Sequence, residues 1–211
     1  MNGRLLSRLQ FSEPAKFQTE TVEYSMRGPL YAASAVLSRR VLSADRRLLE
    51  CRARVQYPIR KNKEFELRAE TEANGVLLWQ EEIDLTTGTK KLWQRTSTNE
   101  YECDGLRTFI ADGSVQSIIG LFFALTDHLS AGRCADVDPV FVVVGRNIWR
   151  VDWPVATTLE ASRFLVNDGR QRERYRIDFE WDPQANLIRE LSIGLPFFGR
   201  LRAHAAGYQR Q

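Results

Sequence analysis

Side chains that could do chemistry are thinly spread in this chain. There are two histidines, His128 and His204, and three widely spaced cysteines, Cys51, Cys103 and Cys134. That is little material for zinc binding or histidine-based catalysis, and an odd cysteine count is no disulfide framework. No GxSxG elbow, phosphate-binding glycine loop, GxGxxG, CxxC or HExxH occurs. Adjacent carboxylates such as Glu81 and Glu82 fall on an extended segment, so they face opposite ways and cannot work as an acid–base pair. The densest donor set is a loop read from Asp127 and His128 to Cys134, Asp136 and Asp138, whose spacing matches no closed zinc or calcium pattern. We expect no catalytic residue, no metal site and no cofactor, and lean away from an enzyme.

Two other sets point to binding. Aromatic residues are abundant, with five Trp, eleven Phe and six Tyr. Trp79, Trp93, Trp149 and Trp153, with Phe122 and Phe123, either fill a core or line an apolar pocket. Arg39, Arg40, Arg46 and Arg47 cluster around one turn and suit an anionic headgroup or phosphate. Charge is uneven: residues 1–63 carry a net +8 and residues 64–138 a net −8. Either a basic surface awaits an anionic partner or opposite charges pair across strands, Arg52 and Arg54 against Glu64, Glu66 and Glu70. The net charge of +3 over 211 residues sets no overall basic bias. In the segment 171–181 the arginines and aromatics fall on opposite faces, so no stacking platform for single-stranded nucleic acid forms.

The elements that must position these residues are mostly strands. Period-two alternation is nearly perfect over Leu49–Tyr57, and repeats through Phe65, Leu67, Ala69 and Thr71 and through Tyr175, Ile177, Phe179 and Trp181. Turn residues punctuate the runs, most sharply at Asn74-Gly75. This predicts strands near 17–26, 31–42, 48–57, 64–73, 76–85, 89–96, 100–104, 106–111, 140–144, 147–153, 157–166, 171–181, 186–194 and 200–207. One helix interrupts them: Ser114 is a suitable N-cap after Asp112-Gly113, and Val115, Ile118, Ile119, Phe122, Leu125 and Leu129 follow at helical spacing. Leu121 and Phe123 make that helix apolar nearly all round, so it needs cover on more than one side. The fold expected is all-β with one central helix, a curled antiparallel sheet forming an incomplete β-barrel around it; a closed lipocalin-like barrel is the alternative. The segments Ile118–Leu125 and Val140–Val144 are too short to span a bilayer. Residues 1–15 read as a loosely held arm and 16–211 as a single domain, and the N-terminus shows no export signal, which points to the cytoplasm.

Four features resemble a bacterial domain of unknown function, DUF3108. They are the strand and turn Val22–Ala33, the meander Leu48–Arg95, the helix after Asp112-Gly113, and the closing strands from Asn186 through Pro196-Phe197-Phe198-Gly199 to Ala206. The resemblance implies a half-barrel similar to periplasmic lipoprotein carriers, a periplasmic location if an export signal has been removed, an apolar cavity and lipid-like ligands. The function expected is a non-enzymatic binding or carrier domain for an apolar or lipid-like ligand, with a solvent-reachable space beside the helix. The alternative is a solid-cored interaction scaffold that meets a protein partner through a sheet edge or the Pro196–Gly199 turn.

Overall fold

The computed structural model describes residues 19–28, 31–58, 61–110, 115–132, 139–155, 157–164, 171–195 and 199–211. Eight strands come first: β1 (Thr19–Gly28), β2 (Tyr31–Val41), β3 (Arg46–Gln56), β4 (Lys63–Glu72), β5 (Leu77–Asp84), β6 (Thr89–Ser97), β7 (Glu100–Cys103) and β8 (Leu106–Phe109). A short strand β9 (Val115–Ser117) leads into helix α1 (Ile118–Ser130). The second run is β10 (Val140–Val144), β11 (Asn147–Val155), β12 (Thr158–Phe164), β13 (Gln171–Asp182), β14 (Leu187–Leu195) and β15 (Gly199–Arg210).

The fifteen strands of the described residues belong to one sheet, in the order β8-β7-β6-β5-β4-β3-β2-β1-β15-β14-β13-β12-β11-β10-β9. Each run is a meander, because antiparallel neighbours need only short turns. The hairpin β7–β8 turns on Asp104 and Gly105, both at positive φ (51° and 82°), as a two-residue turn of this twist demands. The two runs join where β1 pairs with β15, from Glu20 opposite Arg210 to Arg27 opposite Arg202. The sheet does not close into a barrel: β8 and β9 remain its two edges.

The structure departs from the expected helix at its start. Val115–Ser117 form a strand parallel to Phe141–Val143, so α1 is the crossover of a β9–α1–β10 unit. Parallel neighbours need such a crossover. The helix is capped by Ser117, whose hydroxyl accepts from the Ile119 amide at 3.3 Å; Ser114 lies outside the described residues.

An alternating sheet has one apolar face, and a helix that is apolar all round has no face for water. Each solves the other's problem when the sheet curls around the helix. Ile119–Leu121 and Phe123–His128 are buried. Contacts between the two runs hold the curl. Trp93 Nε1 donates to the Gly145 carbonyl at 2.8 Å, the Gly145 amide donates to Glu82 Oε2 at 3.1 Å, and Arg146 Nε donates to Asp104 Oδ2 at 2.9 Å. On the convex face opposite charges pair across strands, including Arg52 with Glu66, Arg54 with Glu64 at 3.3 Å and Arg68 with Glu50 at 3.4 Å.

Phe123 is fully buried at the centre of the curl, whereas Leu92 on the convex face is 40% exposed. Phe123→Ala is expected to destabilise by about 3–5 kcal/mol and Leu92→Ala by no more than about 0.5 kcal/mol. Urea unfolding of both variants checks this.

Candidate functional site

The concave face carries a row of residues in direct cross-strand register: Arg210, Glu20, Arg39, Leu49, Ala69, Gln80 and Trp93. Two of its members build an ionic cluster with the helix. Arg39 grips Asp127 with both prongs of its guanidinium, Nη1 to Oδ2 at 2.5 Å and Nη2 to Oδ1 at 3.0 Å. Its Nη2 also donates to Glu20 Oε2 at 2.5 Å. Glu20 Oε1 accepts from Tyr208 Oη at 2.7 Å and from Arg210 Nη2 at 3.1 Å. The Arg39 guanidinium carbon lies 4.8 Å from the Phe123 ring centroid, adding a cation–π contact. Glu20, Arg39 and Asp127 are 0%, 3% and 7% exposed.

Burial alone pulls the Arg39 pKa down, but its hydrogen bond to Asp127 and the charges of Asp127 and Glu20 carry it above the usual arginine value. Burial and the bond to Glu20 push the Tyr208 hydroxyl well above the usual phenol range. Arg47 is held below its ordinary value, first by burial and then by the neighbouring Arg39.

The four clustered arginines do not form one patch. Side chains alternate along a strand, so Arg39 and Arg47 point into the concave face. Arg40 is exposed and Arg46 is half-buried, held by Glu70 at 3.1 Å on the convex face. The same parity separates the tryptophans. Trp93 is buried on the concave face, whereas Trp79 sits on the convex face opposite Glu70, to which its Nε1 donates at 3.0 Å. Trp149 packs against Tyr175 and Trp153 against His128, with ring centroids 5.5 and 5.0 Å apart. Phe122 is half-buried, edge-on to Tyr24 at 5.5 Å, and Phe123 is core. Asp127 and His128 belong to the last turns of α1, not to a loop, and Asp127 is committed to Arg39. Cys134, Asp136, Asp138 and residues 196–198 lie outside the described residues. Among the described residues no three metal-type side chains come together.

Below the buried row the concave face of β1–β4 opens. Met26, Leu37, Cys51, Val55, Phe65 and Leu67 are all half-buried there, with Phe122 of the helix beside Tyr24 at their margin. The helix is packed along its buried length, so the half-open surface lies on the sheet. A separate cleft of about 240 Å³ sits at the β8 edge, lined by Trp93, Cys103, Asp104, Leu106, Thr108 and Arg146. Burial pushes the Cys51 and Cys103 thiols up to about 11 each.

Glu20 and Asp127 do not stand out by motif. The available signal is parity. Glu20, Arg39 and Arg47 occupy positions that the alternation assigns to the apolar face, beside Val22, Leu37 and Leu49. Asp127 likewise falls within an otherwise apolar helix. A charge on a buried face needs a partner on another buried face.

With this geometry in view, the chain resembles a solved β-barrel-like protein of domain of unknown function DUF1849 from Brucella abortus. The match has a TM-score of 0.53 and 11% identity over 97% of this chain and 99% of that one. At that identity it shows the fold alone. A porin-like protein from Bacteroides uniformis also matches, with a TM-score of 0.28 and 6% identity over 96% of this chain and all of that one. No family model matches the chain, and no curated protein matches it significantly. The chain therefore shares the fold of that solved β-barrel-like protein, and the resemblance to DUF3108 finds no support in these comparisons.

Asp127→Ala is expected to cost about 3–5 kcal/mol, because it removes the two-pronged partner of the buried Arg39 and leaves only Glu20, already shared with Tyr208 and Arg210, while Glu64→Ala on the convex face costs at most about 1 kcal/mol. Denaturant titration of the two variants checks the contrast. A pH prediction follows from Tyr24, Tyr101, Tyr208, Cys51 and Cys103, all held protonated beyond their ordinary values, Tyr101 up to about 12. The unfolded chain releases these protons first, thiols from about 8.5 and phenols from about 10, so their contribution is intact below those values and lost as pH rises through them. The urea midpoint should hold at pH 7–8 and fall steadily above about pH 9.

Proposed function

We propose that this protein is a non-enzymatic binding domain whose concave face takes an apolar or lipid-like ligand. One observation carries the reading. The strip through Met26, Leu37, Cys51, Val55, Phe65 and Leu67 is apolar and only half-buried, whereas the buried row above it is closed by the helix. Leaving about half of such side chains in water forgoes roughly 1 kcal/mol or more each, which an apolar guest recovers. The sequence motifs that resemble DUF3108 imply a lipid-like ligand as well, and the sequence carries no catalytic motif that would favour another use of this face.

Native mass spectrometry of the purified protein, followed by organic extraction, tests this. An apolar mass that co-purifies, or stoichiometric uptake of added decanol, supports it. Uptake should be lost in Leu37→Glu and kept in Val36→Glu, since Val36 faces outward and is 39% exposed. Failure to take up decanol, or equal uptake by both variants, sinks the reading.

The scaffold alternative has its own observation. The edge strand β8 exposes Leu106 at 74% and Phe109 at 62%, beside the cleft lined by Trp93 and Arg146. An unpaired edge of this kind is a template for an added strand. A partner lost on Phe109→Asp, with decanol uptake absent, would favour it.

A further inference from the structure

We propose that Arg47 and Thr71, facing each other across β3 and β4 on the concave side, form a binding site for an oxyanion, a carboxylate or phosphate group. Arg47 is 3% exposed. Its Nη1 donates to the carbonyl oxygens of Ser43 at 2.7 Å, Arg46 at 2.9 Å and Ala44 at 3.4 Å, which pins the guanidinium beneath the β2–β3 turn. Those carbonyls hold the fork but supply no full negative charge. Among the described residues Nε and Nη2 make no hydrogen bond. Among the described residues no carboxylate lies within ion-pairing distance of Arg47. Asp127 is gripped by Arg39, and Asp45 is 80% exposed and accepts from Ser43 Oγ at 2.5 Å.

Thr71 supplies the second, independent observation. It is fully buried, and its Oγ1 has no hydrogen-bond partner among the described residues. It stands directly opposite Arg47 in the β3–β4 register, which places the two Cβ atoms about 4.5–5.5 Å apart on one face. A buried guanidinium without a carboxylate and a buried hydroxyl without a partner are each costly. One oxyanion answers both, taking the free edge of the fork and the hydroxyl as donors. The depressed pKa of Arg47 reports the same shortage of negative charge, since burial and Arg39 outweigh Asp127 and Asp45 there.

This site is separate from the apolar strip. Leu49 and Ala69, both fully buried, lie between Arg47 and the half-open positions Cys51 and Leu67, and four residues along β3 span about 13 Å. The inference therefore stands or falls apart from the binding function proposed above.

The test is titration with inorganic phosphate and with acetate, followed by calorimetry and, for phosphate, by phosphorus NMR line broadening, against chloride at matched ionic strength. Saturable binding of one anion per chain is expected. Arg47→Lys keeps the charge but loses the fork and weakens binding. Thr71→Val weakens binding about tenfold while preserving or raising the denaturation midpoint, because it removes an unpartnered hydroxyl. Arg47→Gln abolishes binding; should the loss of its turn contacts prevent folding, Thr71→Val decides alone. Decanoate binding much more tightly than acetate, and depending on Arg47, makes the oxyanion the head of an amphiphile; equal affinities make it a small free anion. No saturable binding of phosphate or acetate, or binding unchanged by Thr71→Val, overturns the site. Loss of decanol uptake with phosphate binding intact counts only against the apolar ligand, and the reverse only against this site.

Discussion

A guanidinium taken out of water must be answered by carboxylates brought from elsewhere in the fold, and Arg39 imposes that condition here. Its partners come from β1 and from the last turns of α1, and Glu20 in turn holds Tyr208 and Arg210 of β15. The cluster thus ties the helix to the strand pair where the two runs of the sheet meet. In a low-dielectric interior such a network gains little net stability over an apolar one, but each broken member is costly. Its bonds link one side chain of the helix, Asp127, to β1, β2 and β15.

That fixed helix explains why the sheet curls and where it stops. Around the buried half of α1 the concave face is apolar and closed. The β10–β11 turn docks onto β5–β7 through Trp93, Glu82 and Asp104. These contacts are side chain to backbone or side chain to side chain, not a strand ladder, so the sheet rolls up without becoming a barrel. Two edges persist, and one of them, β8, carries exposed Leu106 and Phe109.

The concave face is consequently divided. Its upper end is ionic and nearly sealed, with Arg47 and Thr71 at the margin. Its lower end on β1–β4 is apolar and half-open. Leu49 and Ala69 of the buried row stand between these two ends of opposite chemistry. The likeness to a solved β-barrel-like domain of unknown function places the fold, and the chemistry of these two surfaces has to be argued from their own residues.

Much of the architecture was legible in the sequence, because a half-buried strand writes its period of two directly into residue type. Fourteen of the fifteen strands are anticipated by alternation and turn residues, and the missing one, β9, is three residues long and was absorbed into the helical pattern. Its strand character comes from pairing with Val140–Val144, a partner distant in sequence. The same parity shows that Arg39 and Arg47 face inward, Arg40 and Arg46 outward, and Trp79 away from Trp93. What parity cannot provide is the third dimension. That Asp127 reaches Arg39 across 88 residues, that Thr71 stands opposite Arg47, and that one end of the concave face is closed while the other is half-open were decided only by how the sheet rolls about the helix. Alternation is a local property of the chain, whereas charge pairing and burial depend on which distant surfaces are brought together.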